Sequence, residues 1–515
     1  MNPVLAKQKT AASPAHTCAL ARPALRLLLG GLYLALVTAL LYWLYAGWGY
    51  DDPFITYRYA RNLAAGLGPV YNPGERVLST TSPLLALLLA LPAALGADLP
   101  RLAVLIGAAG LAAGGLCLWA LGRAWKAPAS GWAGLLLYPT FALLPTTLGS
   151  ETPLYLAFCL GAFACYAHRR LAPAAACAAL AVLARPDGAL VPALLVAHFL
   201  GCAALELVRE NGGETRGWGQ ALPGLWKAIP WRAAGVFLAL TLPWFLFAWA
   251  YYGSPVPVTL GAKQQQGAMA ISQTFFEGFW PLVSGYLKRW DFRLEVLLAL
   301  LGLGYAVFKD RRWLLLLAWT GAYFAAYSLL DVSRYFWYYA PLVPGFIAAV
   351  GLGAEALRAA AGKMGLRSLP AALPAAVLLL GLCAEEVPRL ARTAAFTDRR
   401  LAAYRAVGAW LEENTEPQAG VGALEVGIIG YYARRPMVDF AGLIQPRVSR
   451  RLSPQATYED AALWAMEHYR PDYLVLHLGL FGRLEAYAVE RCSPVRQFPG
   501  LQYNYDIDLQ IYSCP

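Results

Sequence analysis

Asp51-Asp52-Pro-Phe-Ile-Thr-Tyr-Arg58-Tyr-Ala-Arg61-Asn-Leu-Ala-Ala-Gly-Leu-Gly-Pro-Val-Tyr-Asn-Pro-Gly-Glu-Arg-Val77 comes just after the first long apolar run of the chain, Leu27 to Trp48. A run of roughly 20 apolar residues crosses the hydrocarbon core of a bilayer as a helix. The acidic pair therefore stands at the exit of that helix, at the level of the lipid head groups. The polar segment continues into Thr80-Thr81-Ser82-Pro83-Leu84, the entry to the next apolar run.

The rest of the chain has the same character. Its 515 residues are 59% hydrophobic and 14% charged, with a mean hydropathy of +0.47, too apolar for a soluble domain and typical of a polytopic membrane protein. The net charge of +11 does not point to nucleic acid, because the basic residues recur in short clusters between apolar runs instead of forming one cationic patch. Nine cysteines show no CxxC spacing, and Cys117, Cys159, Cys165, Cys177, Cys202 and Cys383 lie inside apolar runs as small hydrophobes. His168, His198, His468 and His477 form no ligand set, so neither a metal site nor a cofactor is expected; a divalent metal requirement stays open. Lys7, Lys9, Arg22 and Arg26 precede an apolar run too long for a cleaved signal, which reads as a retained anchor.

Positive-inside counting orients the spans. With residues 1–26 as a cytoplasmic tail, Asp51 and Asp52 face outward. Leu84 to Leu95 is too short to cross and reads as an interfacial or re-entrant helix. Leu102 to Leu121 returns inward to Arg123 and Lys126, and Trp132 to Leu148 goes out again, delivering Glu151 to the side of Asp51. His168-Arg169-Arg170, the loop Arg209 to Arg232, Lys309 to Arg312, and Arg358, Lys363 and Arg367 then fall inside, with Lys263 and Arg334 outside. About eleven crossings result. The expected organisation is a helical membrane domain over 27–388, whose first outer loop spans 48–101, followed by an extracytoplasmic domain over 389–515. There a helical stretch, Arg399 to Glu413, mixes with short apolar runs such as Gly427 to Gly430 and Tyr473 to His477, which argues a small α/β fold. Cys492 and Cys514 lie in that polar region, where an oxidising compartment permits them to pair or leaves two free thiols. There is no internal repeat and no low-complexity linker.

Three carboxylates, Asp51, Asp52 and Glu151, thus share one side with the cations Arg58, Arg61, Lys263 and Arg334. Ionisable residues at membrane depth are expensive and usually functional. A carboxylate there can take a proton from an acceptor hydroxyl, and cations can hold a departing phosphate. Asp51 is the first choice for the base, with Asp52 and Glu151 positioning the acceptor or sharing the role. Bland alternatives stand beside each assignment. Asp51 and Asp52 suit the cap of a helix over Phe54 to Leu63, and Glu151 the cap of one starting near Pro153. Arg334, beside Tyr335, Trp337, Tyr338 and Tyr339, is either a phosphate fork or a snorkelling belt arginine. Lys263 is either a ligand or a solvated loop charge, and Arg58 and Arg61 share one helical face toward the site or toward head groups. Arg185-Pro186-Asp187 reads as a local ion pair.

The acidic pair, the Arg-Tyr-Ala-Arg-Asn-Leu helix, the Gly-x-Gly-Pro-x-Tyr-Asn turn, Thr-Ser-Pro-Leu, and Gly149-Ser-Glu-Thr-Pro-Leu154 together resemble the GT-C glycosyltransferases. The resemblance is nearest to the cell-wall arabinofuranosyltransferases that add terminal arabinose, with lipid A aminoarabinose and protein O-mannosyl transferases further off. Glu425-Val-Gly-Ile-Ile-Gly-Tyr-Tyr and Val438-Asp-Phe-Ala-Gly-Leu443 extend it into the outer domain. It implies a GT-C fold and transfer of a sugar, with inversion, from a polyprenyl-phosphate donor to a glycan, lipid or protein acceptor outside the cytoplasmic membrane. Membrane lipids are then partners and nucleic acid is not. Two rivals remain: a transporter or lipid flippase, which would more naturally show paired hydropathy repeats and mid-membrane charges, and a non-catalytic sugar-binding protein on the same fold.

Overall fold

The structure, a computed structural model, describes residues 14–210, 226–363, 373–395 and 397–515. Lys7, Lys9 and Arg367 of the expected basic clusters, and residues 211–225 of the Arg209 to Arg232 loop, lie outside the described residues.

The membrane body is helical: α1 (Pro14–Tyr45), α2 (Asp51–Ala64), α3 (Pro83–Ala94), α4 (Leu99–Ala124), α5 (Pro128–Leu136), α6 (Thr152–Ala167), α7 (Leu171–Ala184), α8 (Leu190–Glu210), α9 (Trp231–Tyr252), α10 (Thr259–Ala268), α11 (Phe275–Tyr286), α12 (Trp290–Phe308), α13 (Leu314–Leu329), α14 (Val343–Lys363) and α15 (Leu373–Ala395). Among the described residues five helical stretches are long and apolar enough to cross a membrane: 24–45, 99–124, 186–209, 231–252 and 336–362. The other expected crossings are shorter or carry more charge. α6, at 16 residues, reaches only about 24 Å at 1.5 Å per residue, and α12 opens on Asp291, Arg293 and Glu295.

The largest departure from expectation is the run Trp132 to Leu148. It does not continue as one helix: α5 ends at Leu136, and Pro139 and Pro145 remove backbone donors beyond it. Thr140 Oγ1 donates back to the Leu136 carbonyl at 2.7 Å. Most of the irregular backbone that follows is buried, the condition under which such backbone is tolerated at membrane depth. α3 is 12 residues long, as a non-crossing helix should be, and exposes Leu87, Leu88 and Leu91, with Leu95 exposed at its C-terminal cap. α12 and α14 pack closely because Gly302 faces the Ala349 carbonyl and Gly353 the Leu298 carbonyl, where a Cβ would collide.

The basic loops gather at one end of the body. His168 Nε2 lies 3.1 Å from the Ala120 carbonyl, Arg312 Nη2 donates to the Trp125 carbonyl at 2.9 Å, and Ala129 N donates to Glu355 at 3.0 Å. The C-terminal α/β domain, termed the outer domain after its expected side, sits at the other end. It comprises α16 (Arg400–Asn414), β1 (Val421–Ala423), α17 (Ile428–Ala433), β2 (Met437–Asp439), α18 (Pro446–Ser449), α19 (Tyr458–Tyr469), β3 (Tyr473–His477), α20 (Gly482–Arg491), β4 (Ser493–Phe498) and β5 (Leu509–Ser513). The sheet order is β2-β1-β3-β5-β4, parallel around β1 and antiparallel around β5. Of the two short apolar runs singled out in the sequence, Tyr473 to His477 is a central strand and Gly427 to Gly430 opens a helix. α15 continues through Pro388 to Ala395, so the helical body extends several residues past the expected boundary. A disulfide joins Cys492 and Cys514 across the β4–β5 edge.

Candidate active site

A cavity of about 550 Å³ opens where the helix ends meet the outer domain. α2, the segment Ser79 to Thr81, the turn before α6, the loop after α7, α10 and the end of α13 each contribute to its wall. Its polar part holds Asp52, Glu151, Arg185, Asp187 and Lys263; its apolar part is formed by Leu190, Ala193, Leu260, Ala326 and Leu330. A few polar groups in a mostly apolar cleft are the usual form of a ligand site.

Local sequence explains the placement. Asp51 and Asp52 begin α2 with Pro53 in the first turn, so successive side chains point about 100° apart and the two acids diverge. Asp52 goes to the cavity. Its carboxylate accepts from Lys263 Nζ at 3.1 Å, and its side chain is 32% exposed against 5% for Lys263. The Lys263 ammonium also lies 3.6 Å from the Tyr335 ring centroid, a favourable cation–π position. Lys263 is thus a buried, partnered cation and not a solvated loop charge. Burial works against its charge, but Asp52 outweighs that and the pKa rises.

Glu151 reaches the same wall through a turn that only glycine makes easily: Gly149 has φ +92°, and its carbonyl accepts from Tyr57 OH. Glu151 makes no side-chain cap to α6, so the capping alternative is not what its carboxylate does here. Burial pushes its pKa up, against the pull of Arg185. Arg185 is held in a fork. Its Nε and Nη2 donate to Asp187 at 3.2 and 2.9 Å, Nη1 to Thr152 Oγ1 at 3.1 Å, and Nη2 to Tyr327 OH at 2.8 Å. The ion pair expected between Arg185 and Asp187 is therefore present, and it faces the cavity. Sequence reasoning did not include this pair in the site; its signal was an Arg-Pro-Asp break inside apolar surroundings. An aromatic wall completes the space: Trp337 stacks on Tyr50 at 5.0 Å and on Tyr335 at 4.5 Å.

The remaining expected site residues lie elsewhere. Asp51 is not on the cavity wall; it is 5% exposed, and its two oxygens accept from Gly427 N and Ile428 N at 2.9 and 2.8 Å. The carboxylate thus closes the N-terminus of α17 while beginning α2, where two helix ends favour a negative group. Burial and Glu425 push its pKa up, partly offset by the Ile428 amide. Arg58 is 2% exposed and uses all five donors on the protein: Tyr71 O and OH, Gly430 O, Asn72 Oδ1 and Arg435 O, at 2.6–3.4 Å. It clamps the first loop to the outer domain. Arg61 donates to the Tyr431 carbonyl and covers the Tyr431 ring at 4.2 Å. Arg334 is exposed, off the cavity wall, and donates to Gln273 Oε1 at 2.5 Å.

The outer domain reaches the cavity through Leu443. Asp439 holds that loop by accepting from Ala441 N at 2.8 Å and Ile444 N at 3.0 Å. Gly442, at φ +76°, turns it where Ser449 leaves no room for a side chain. Burial lifts the Asp439 pKa to about 6 against the pull of the loop amides. Among the described residues no group of three or more His, Cys, Asp or Glu is arranged to hold a metal ion.

Residues 393–512 match a family described as a domain of unknown function (DUF8728). No curated protein matches the chain. Among solved structures, the chain is similar to ArnT from Cupriavidus metallidurans bound to undecaprenyl phosphate, at 15% identity over 94% of this chain and 97% of that one, with a TM-score of 0.59. It is also similar to the archaeal oligosaccharyltransferase AglB from Archaeoglobus fulgidus in complex with an inhibitory peptide and a dolichol-phosphate, at 14% identity over 91% and 73%, with a TM-score of 0.60. At such identities the likeness is one of fold. The chain is a multi-pass membrane protein with the GT-C fold, a helical body carrying a small α/β domain.

Proposed function

We propose that this protein is a membrane glycosyltransferase that moves a sugar from a polyprenyl-phosphate donor to an acceptor hydroxyl outside the cytoplasmic membrane, with inversion. The observation that carries the reading is the cavity itself: three carboxylates, Asp52, Glu151 and Asp187, and two cations, Arg185 and Lys263, line it together with apolar residues of α8, α10 and α13. Asp52 is the base, partly exposed and within reach of a bound hydroxyl. Lys263, held against Asp52 and Tyr335, meets the donor phosphate with Arg185, and the positive charge stabilises the departing anion. Glu151 orients the acceptor or shares the proton. Trp337 offers a flat face for the sugar. Asp51 and Arg58 act on this chemistry only by docking the outer domain. Two fold neighbours were solved with a polyprenyl-type phosphate bound, which supports the donor class. The opening segment supports an arabinofuranosyl donor as the first to try.

A photoreactive polyprenyl phosphate tests the donor site. Labelling should fall on the Leu190, Leu260 and Ala326 wall and be displaced by unlabelled carrier; labelling confined to other helices would remove the donor from this cavity. Sidedness follows from the basic loops. Cysteines placed near Glu151 and Lys263 should label from outside and those near Arg123 and Arg170 only after permeabilisation, and the reverse pattern would break the extracytoplasmic assignment.

A further inference from the structure

A second cavity, about 540 Å³, lies apart from the first, with no wall residue in common. α13 separates them: Ala326 and Tyr327, with Leu330 just past its end, face the catalytic cavity, while Leu317, Gly321 and Phe324 face this groove. Its walls are almost wholly apolar. It opens sideways past Leu300 and Leu303, which are 61% and 46% exposed on the surface a bilayer would cover.

One end of the groove, at Tyr286 and Phe292, is the corner between α11 and α12. There Lys288, Arg289, Arg293 and Arg389 stand among Asp291, the buried Glu295, Glu385 and Glu386, and Lys288 and Arg293 are the exposed charges. Arg289 pairs with Asp291 at 2.5 Å and with Glu386, and Arg389 pairs with the same two acids and with Glu385 at 3.6 Å. Those charges are compensated. Lys288 and Arg293 are not: both are exposed, and among the described residues neither has an acidic partner. Arg293 folds back so that its Nε donates to the Leu287 carbonyl at 2.6 Å, leaving its other donors free. The corner lies at the end of the body that holds the catalytic cavity, since α15, which supplies Glu386 and Arg389, also supplies the Leu390 carbonyl to Tyr45 OH at the end of α1. Trp280 and Trp290, 67% and 60% exposed, flank the corner and mark the head-group level.

We propose that this groove is a binding site for an anionic glycerophospholipid of the leaflet that faces the catalytic cavity. Its phosphate meets Lys288 and Arg293, and one acyl chain lies in the groove. Two uncompensated cations at head-group depth select an anionic head, and an apolar cleft directly below them is covered by a chain. A volume of about 540 Å³ has room for one fatty acyl chain, and competition with the polyprenyl carrier separates this ligand from the glycosyl donor. The site stands independently of the proposed transfer reaction.

Native mass spectrometry of the full chain, titrated with phosphatidylglycerol and phosphatidylcholine, is the test. Wild type should retain phosphatidylglycerol preferentially. Each basic residue near an anionic lipid is worth about fivefold, so the double variant Lys288→Gln, Arg293→Gln should bind it about 25-fold more weakly, with phosphatidylcholine unchanged. Both positions are exposed, so this variant keeps its fold. Gly321→Phe should reduce retention of both lipids, because a Cβ at Gly321 meets nothing within 4 Å and its ring enters the groove. Equal retention of the two lipids by wild type, or undiminished phosphatidylglycerol binding by the double variant, overturns the proposal. So does competition in which undecaprenyl phosphate displaces phosphatidylglycerol at equal concentration, which would make the carrier the occupant.

Discussion

Replacing the adjacent carboxylates one at a time by their amides separates chemistry from architecture. In Asp51→Asn the side chain keeps its shape but has one acceptor oxygen for two amides, Gly427 N and Ile428 N. One charge-assisted hydrogen bond is lost, the other becomes neutral, and a buried N–H faces an NH₂ group. At roughly 1.5–3 kcal/mol for a bond to a charged group, the loss is about 3 kcal/mol, a large part of the 5–15 kcal/mol that typically holds a domain together. It falls on the contact between α2 and the outer domain. In Asp52→Asn the buried Lys263 ammonium loses its carboxylate, a loss of about 1.5–3 kcal/mol for a bond to a charged group. It falls at the low end because Asp52 is 32% exposed, the amide keeps an acceptor oxygen for Nζ and the Tyr335 ring stays 3.6 Å away. The catalytic loss is larger, about 10²–10⁴ in rate for a general base. Transfer measured in proteoliposomes, thermal unfolding followed by tryptophan fluorescence, and limited proteolysis at the domain junction read these effects apart. Asp51→Asn should unfold earlier, expose the junction and keep turnover per folded molecule within about tenfold. Asp52→Asn should unfold nearly as wild type and turn over at least about 100-fold more slowly. The opposite pattern, a stable but inactive Asp51→Asn beside an active Asp52→Asn, would refute the division of roles.

Lys263→Met should lower kcat/KM at least about tenfold, because the phosphate loses a cation; wild-type donor kinetics would move the phosphate site to Arg185 alone. Arg334→Lys should stay within about twofold of wild type in a donor titration, since its guanidinium is outside the cavity and bonded to Gln273; a selective donor defect would bring Arg334 back into the site. For Asp439, the folded pKa of about 6 is above the ordinary 3.8. Its stabilising contribution is therefore complete below pH 3.8 and lost as pH rises through 6, a change of about 3 kcal/mol. The unfolding midpoint of wild type relative to Asp439→Asn should fall between pH 4 and pH 7, and a rise over that range would reverse the sign of the argument.

The parts of this molecule that were legible in the sequence are those fixed by local pattern. The apolar runs, the non-crossing α3, the change of composition after the membrane body and the gathering of acids at helix exits all follow from hydropathy and charge spacing. Where Trp132 to Leu148 breaks was harder to see, because its prolines sit in a run that stays apolar throughout. The division between Asp51 and Asp52 was not legible at all. Neighbours on a helix differ only in direction, and what Asp51 meets is an amide pair some 376 residues away in sequence. Arg58 was misleading for the same reason: a cation near acids reads as a ligand until its five donors are counted. Arg185 and Asp187 were visible as a polar break, but their approach to Glu151 depends on how α6, α7 and α13 pack.

The most direct test of the central claim is transfer by the purified chain in proteoliposomes, supplied with a small panel of polyprenyl-phosphate sugars, arabinofuranosyl first, and a mixed set of hydroxyl acceptors. The account predicts that one donor gives glycosylated acceptor and free polyprenyl phosphate in equal amounts, and that Asp52→Asn slows both at least about 100-fold. Equal release of polyprenyl phosphate by Asp52→Asn and wild type, or vectorial movement of an intact lipid-linked sugar without transfer, would contradict it.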